Sequence, residues 1–122
     1  MVRTSVDAER EYGEGFTART VQETDRQKVV CAYFEPGQFI PVHAPGSDVA
    51  ITVIRGEGVV RDGDREHEVE PGDVVAVPAG TDRGVKATGG RLEATLVTAP
   101  PPTDAEHEPV RRGLREEEFD PG

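Results

Sequence analysis

His43 sits between two prolines, in Pro41-Val42-His43-Ala44-Pro45, with Asp48 five residues on and His67 further along the chain. Imidazole and carboxylate are donors that hold divalent transition metals. Three or more of them must converge at about 2.0–2.2 Å from the ion. The metal-ligand candidates are therefore His43, Asp48 and His67. Arg83 suggests different chemistry. Its guanidinium is always charged and does not ligate a metal, but its planar fork of N–H donors fits a carboxylate or a phosphate. A histidine beside it would donate, accept or shuttle a proton. Plainer roles compete with each of these. Arg83 would pair with Asp48 or Asp82, and His67 would be a half-buried strand histidine. The single cysteine, Cys31, lies in the apolar run Val29-Val30-Cys31-Ala32-Tyr33-Phe34 and reads as a small buried hydrophobe. No phosphate loop, hydrolase elbow, HExxH or CxxC pattern is present.

The elements that must position these residues are strands. Runs at 16–21, 28–34, 38–42, 49–55, 59–61, 65–70, 73–77, 83–87 and 91–98 are β-branched or alternate with a period of two. Glu35-Pro36-Gly37, Gly56-Glu57-Gly58, Pro71-Gly72, Pro78-Ala79-Gly80 and Thr88-Gly89-Gly90 punctuate them as turns. Asp62-Gly63-Asp64 marks a tight hairpin, in whose second arm His67 and Val69 share one face and Glu66, Glu68 and Glu70 the other. Strands recurring about every 8–12 residues indicate an all-β sandwich or barrel. The expected organisation is a polar N-terminal lead-in over 1–14, one β-barrel domain over 15–99 and a charged C-terminal tail over 100–122. The tail is expected to hold at most one helical turn and to pack along a neighbouring subunit. Arg55, Arg61 and Arg65 are expected to pair with Glu57, Asp62, Asp64 or Glu66 near the hairpin.

Two glycine-anchored blocks carry a family resemblance. Gly37, His43 and Gly56 fall on the spacing G-x5-H-x-H-x3–4-E-x6-G, and Gly72, Pro78 and Gly80 fall on G-x5-P-x-G-x2-H-x3-N. The chain thus resembles the cupin family over about 34–97. The resemblance implies a double-stranded β-helix, the jelly-roll barrel. It also implies a site in which three imidazoles and a carboxylate hold Fe, Mn, Ni or Zn. Here only the first histidine is kept. Pro45, Val49, Arg83 and Ala87 stand at the second histidine, glutamate, third histidine and asparagine positions. With the family's inward register, His43 and Arg83 would face into one barrel mouth. Phe39, Pro41, Val49, Ile51, Val53 and Val85 would then line an apolar cup. Three readings stay open: a small-molecule binder, its ligand anionic; a metal-dependent dioxygenase or isomerase with an altered ligand set; and a structural or interaction module working as the homodimer that the resemblance implies.

At 122 residues the chain suits one domain with a single core. It carries no transmembrane run and its first dozen residues lack an apolar signal segment, so the expected location is cytoplasmic. A lone cysteine, which can form no intrachain disulfide, agrees with that. Its 24 acidic against 14 basic residues give a net charge of −10, which argues against nucleic acid or an anionic membrane as partner. Lys28 and Lys86 are the only lysines. Acid excess with scarce lysine resembles proteins that work in concentrated salt. There the Debye length falls to about 3 Å and self-repulsion is screened. The melting temperature is accordingly expected to climb as KCl is raised to molar levels; a salt-independent melting temperature would contradict the halophilic reading.

Overall fold

The computed structural model describes residues 2–121. Among them run nine strands: β1 (Thr17–Glu23), β2 (Lys28–Phe34), β3 (Phe39–His43), β4 (Asp48–Arg55), β5 (Gly58–Asp62), β6 (Arg65–Val69), β7 (Val74–Val77), β8 (Arg83–Ala87) and β9 (Leu92–Ala99). They form two antiparallel sheets, ordered β1-β2-β9-β4-β7 and β3-β8-β5-β6. This is the all-β architecture that the spacing of strands and turns predicts, in the jelly-roll form that the family resemblance implies. Alternation within the strands places one apolar face of each sheet inward.

Register makes the core explicit. Val30, Leu96, Ile51 and Val75 lie abreast across four strands, and Ala32, Ala94 and Val53 form the next row. Val60 pairs with Val85 on the second sheet, and both join the buried cluster with Phe34, Ile51 and Leu92. Burying each such side chain stabilises the fold by roughly 1.5–3 kcal/mol.

The outer face of the first sheet is covered by the N-terminal segment, which packs closely instead of trailing as a lead-in. Tyr33 donates its hydroxyl proton to the carbonyl oxygen of Val6 at 2.7 Å. Glu93, only 3% exposed, accepts from Arg10 Nε at 2.6 Å, Arg10 Nη2 at 2.9 Å and the Tyr12 hydroxyl at 2.5 Å. The guanidinium of Arg91 lies 4.2 Å over the Tyr12 ring. Charges near the hairpin also find distant partners: Arg55 pairs with Asp7 at 3.0 Å and Arg61 with Asp120 at 2.6 Å. Closeness in sequence favours pairs within the hairpin, whereas barrel closure brings both chain ends to these arginines.

The C-terminal segment also departs from the expected tail. After a 3-10 turn (Ala105–His107) it forms helix α1 (Glu108–Glu116), which packs on β3 of its own barrel. A nine-residue helix is marginal alone, so packing must hold it. Gly113 permits the contact: a Cβ there would lie 2.5 Å from Pro41 Cβ. Beyond the helix, Phe119 stacks edge-on with Phe39 at 5.9 Å and its carbonyl accepts from Val42 N at 2.7 Å. Glu106 fastens the start of the segment by accepting from Gly46 N at 2.6 Å. Among the described residues no helix is long and apolar enough to cross a membrane.

The Glu93 contacts make a pH prediction. The Arg10 hydrogen bonds hold its carboxyl below the usual range, assisted by Tyr12 and opposed by burial. A folded pKa below the unfolded one gives stability that is present above the unfolded value and lost as pH falls through the folded value. Glu93→Gln should lower the denaturation midpoint at pH 7 and flatten its decline between about pH 5 and pH 2. Parallel pH curves for the two proteins would show that this carboxylate is not a linkage site.

Candidate functional site

A bulge in β3 builds the site. Ile40 pairs with Val85 and His43 with Arg83, so three steps on β3 match two on β8. Pro41 and Val42 together oppose Gly84. Pro41 has no N–H to give the ladder, and Val42 gives its own to Phe119. A Cβ on Gly84 would lie 2.9 Å from Val42 Cγ2, which leaves glycine to face the bulge. The extra residue shifts the alternation, so Ile40 and His43 both line the interior. His43 and Arg83 are thus cross-strand neighbours on one sheet, opening on one cavity.

Arg83 is 5% exposed. Its Nη2 donates to Pro78 O at 2.8 Å, and Nη2 and Nε each reach Thr81 O at 3.3 Å. Its Nη1 is buried without a hydrogen-bond partner among the described residues. Among those residues no carboxylate is in ion-pair contact with it. The expected partner Asp48 instead accepts from Ala79 N at 2.8 Å and lends Arg83 only a more distant attraction. Burial pulls the Arg83 pKa down, and the Asp48 charge partly opposes it. The group stays cationic at neutral pH.

His43 Nδ1 lies 2.8 Å from Pro41 O. A carbonyl only accepts, which assigns the proton to Nδ1 and leaves Nε2 with the lone pair. Burial lowers the His43 pKa most, the Arg83 and His107 charges lower it further, and the Pro41 bond opposes them. The imidazole is therefore neutral at pH 7.

The cavity holds about 390 Å³. Lys28, Val30, Val49, Ile51, Leu96 and Thr98 supply one wall and Ile40, His43, Arg83 and Val85 another. Phe16, Ala18 and Pro45 contribute as well. The outer wall comes from the C-terminal segment, through Pro102, His107, Val110, Arg111 and Leu114. Among the described residues no Asp or Glu lines it. Thr98 Oγ1 is a second buried polar atom without a partner among them.

Of the sequence candidates, His43, Arg83, Val49, Ile51 and Val85 meet at this cavity. Phe39, Pro41 and Val53 do not line it. Phe39 turns to Phe119 and Pro41 to Gly113, because the bulge reverses the parity that a regular strand would give them. Val53 lies one row deeper, in the packed core. Sequence reasoning missed barrel residues such as Lys28, Val30, Ile40, Leu96 and Thr98, and every lining residue of the C-terminal segment. The signal for the latter was present: 107, 110, 111 and 114 follow helical spacing.

The metal candidates are dispersed. Asp48 is exposed and caps a turn, while His67 lies over a groove outside this cavity with its Nε2 3.3 Å from Asp62 Oδ2. No group of three or more His, Cys, Asp or Glu side chains suited to a metal exists among the described residues. With the cation Arg83 beside His43, this donor set does not fit the metal centre that the family resemblance implies.

The comparisons agree with the architecture. The family profile for the cupin domain matches residues 31–100. A protein from Thermus thermophilus superposes with a TM-score of 0.79 at 30% identity, covering 84% of this chain and 100% of that one. An RmlC-like cupin from Desulfovibrio desulfuricans gives 0.71 at 30% identity, covering 83% and 97%. A Klebsiella pneumoniae protein described as having a double-stranded β-helix domain gives 0.73 at 28%, covering 80% and 89%. No curated protein matches the chain. With that profile lying over β2 to β9 and jelly-roll relatives aligned along nearly their full lengths, the chain belongs to the cupin family.

Proposed function

We propose that this cupin binds a small anionic molecule in its barrel cavity, its negative group held by Arg83 directly rather than through a metal. The observation that carries this reading is Arg83 itself: a buried guanidinium with an unpartnered Nη1 and no carboxylate against it among the described residues, in a chain with 24 acidic residues. A buried cation without a counterion costs several kcal/mol, and a folded chain retains one where an incoming anion completes the site. The acid-free lining supports the same charge preference. A volume of about 390 Å³ with mostly apolar walls and a few polar groups has the form of a small-ligand site. Neutral His43 adds no competing negative charge, and its Nε2 lone pair suits an O–H or N–H of the ligand, not the anionic group itself. Cys31, buried and with its pKa raised by desolvation, does not line the cavity.

Two measurements test this. Removing the uncompensated charge by Arg83→Met should raise the stability of the ligand-free protein by about 1–3 kcal/mol in chemical denaturation, although two carbonyl contacts are lost. In titration calorimetry, benzoate should bind the natural chain and its uncharged analogue benzamide should not. Arg83→Met should weaken benzoate roughly tenfold to a hundredfold, as expected for a charge-assisted hydrogen bond. Equal binding of benzoate and benzamide, or benzoate binding untouched by Arg83→Met, would defeat the reading.

A further inference from the structure

We infer that the cavity takes a linear aliphatic monocarboxylate, and that α1 fixes its length through Leu114. The inference rests on the anionic reading of Arg83 and adds a direction to the site. His107, Val110, Arg111 and Leu114 all line the cavity, spaced i, i+3, i+4 and i+7 along one stripe. Seven residues of helix rise about 10 Å. The stripe begins at His107, which lines the same cavity as His43. It ends on an isobutyl group in the last turn of α1.

The barrel wall has the same polarity. Arg83 Nη2 is tied to Pro78 O, next to Val77 at the end of β7. Val77 pairs with Val49, Val49 with Thr98 and Thr98 with Lys28. The polar wall residues of the first sheet thus share the row nearest the guanidinium. The next row inward is Val75, Ile51, Leu96 and Val30, which is wholly apolar.

The other cations are already matched. Arg111 donates to Glu108 at 3.1 Å and reaches Asp104 at 3.5 Å, and Lys28 lies 3.9 Å from Glu23. One uncompensated cation therefore serves one end of the ligand, and apolar wall serves the rest. A second carboxylate would have to sit among valine, leucine and isoleucine side chains without a counterion, so dicarboxylates are excluded by desolvation. Leu114 is 38% exposed, which places it at the rim, where trimming it lengthens the cavity without opening the core.

The test is calorimetric titration of the full chain with the even-numbered straight-chain carboxylates from acetate to decanoate. Affinity should rise by roughly fourfold per methylene up to a limiting length. Leu114→Ala should move that limit to longer chains and Leu114→Phe to shorter ones. Adipate should bind at least roughly tenfold more weakly than hexanoate. A limit unmoved by both Leu114 variants, or adipate binding as tightly as hexanoate, would overturn the inference. If benzoate binds and no alkanoate does, the anionic site stands and this inference fails; if neither binds, the anionic reading fails with it.

Discussion

Pro41 has no N–H to offer, and much of this molecule follows from that. Opposite Gly84 the β3 ladder takes in one residue too many, and the freed donor of Val42 turns to Phe119 instead of β8. The same bulge does two things. It turns His43 into the barrel beside Arg83, and it gives the C-terminal segment a backbone partner on the outside. Gly113 then lets α1 settle against the proline ring. Site and closing wall are therefore two consequences of one irregularity, as expected of bulges that re-aim side chains at barrel rims.

Arg83 stands where the family motif places a histidine, and the exchange changes the chemistry of the whole cup. An imidazole there would be a donor to a metal beside His43. A guanidinium in that place is a fixed positive charge that repels one. Among the described residues the pocket makes no local repair with a carboxylate. Two carbonyl oxygens take part of the fork, and Asp48, the nearest acidic candidate in sequence, is occupied with the 78–80 turn. Sites that keep an unpaired buried ion commonly trade stability for recognition.

Most of the barrel was legible in the sequence because strand length, turn glycines and β-branched runs are local signals. Val49, Ile51 and Val85 were legible as cavity wall through the family's inward register, which holds where β4 and β8 keep strict alternation. Phe39 and Pro41 were not, since a bulge is a tertiary event with only the proline to announce it. Helix α1 was hidden by its own composition. It is charged and poor in apolar anchors, and it contains Pro109 and Gly113, yet the first sits at the helix start, where its missing donor is harmless, and the second is the point of contact with β3. The N-terminal segment looked like a solvated lead-in because Arg10 and Tyr12 reveal their role only once Glu93 lies buried beneath them.

The electrostatics of the molecule operate on two length scales. From outside, a net charge of −10 repels an anion. Within the cavity the nearest charge is Arg83, no acid among the described residues lines the wall, and low-dielectric surroundings strengthen its pull. At physiological ionic strength the Debye length is about 8 Å, close to the dimensions of the cup itself. For the anionic ligand proposed above, the outer field would act mainly on its approach, and the buried guanidinium on its retention. Added salt weakens the repulsion at the surface long before it reaches a group that is 5% exposed. The proposed anion site is in this way compatible with a strongly acidic chain, because no acid among the described residues lines the cavity and the uncompensated arginine is buried there.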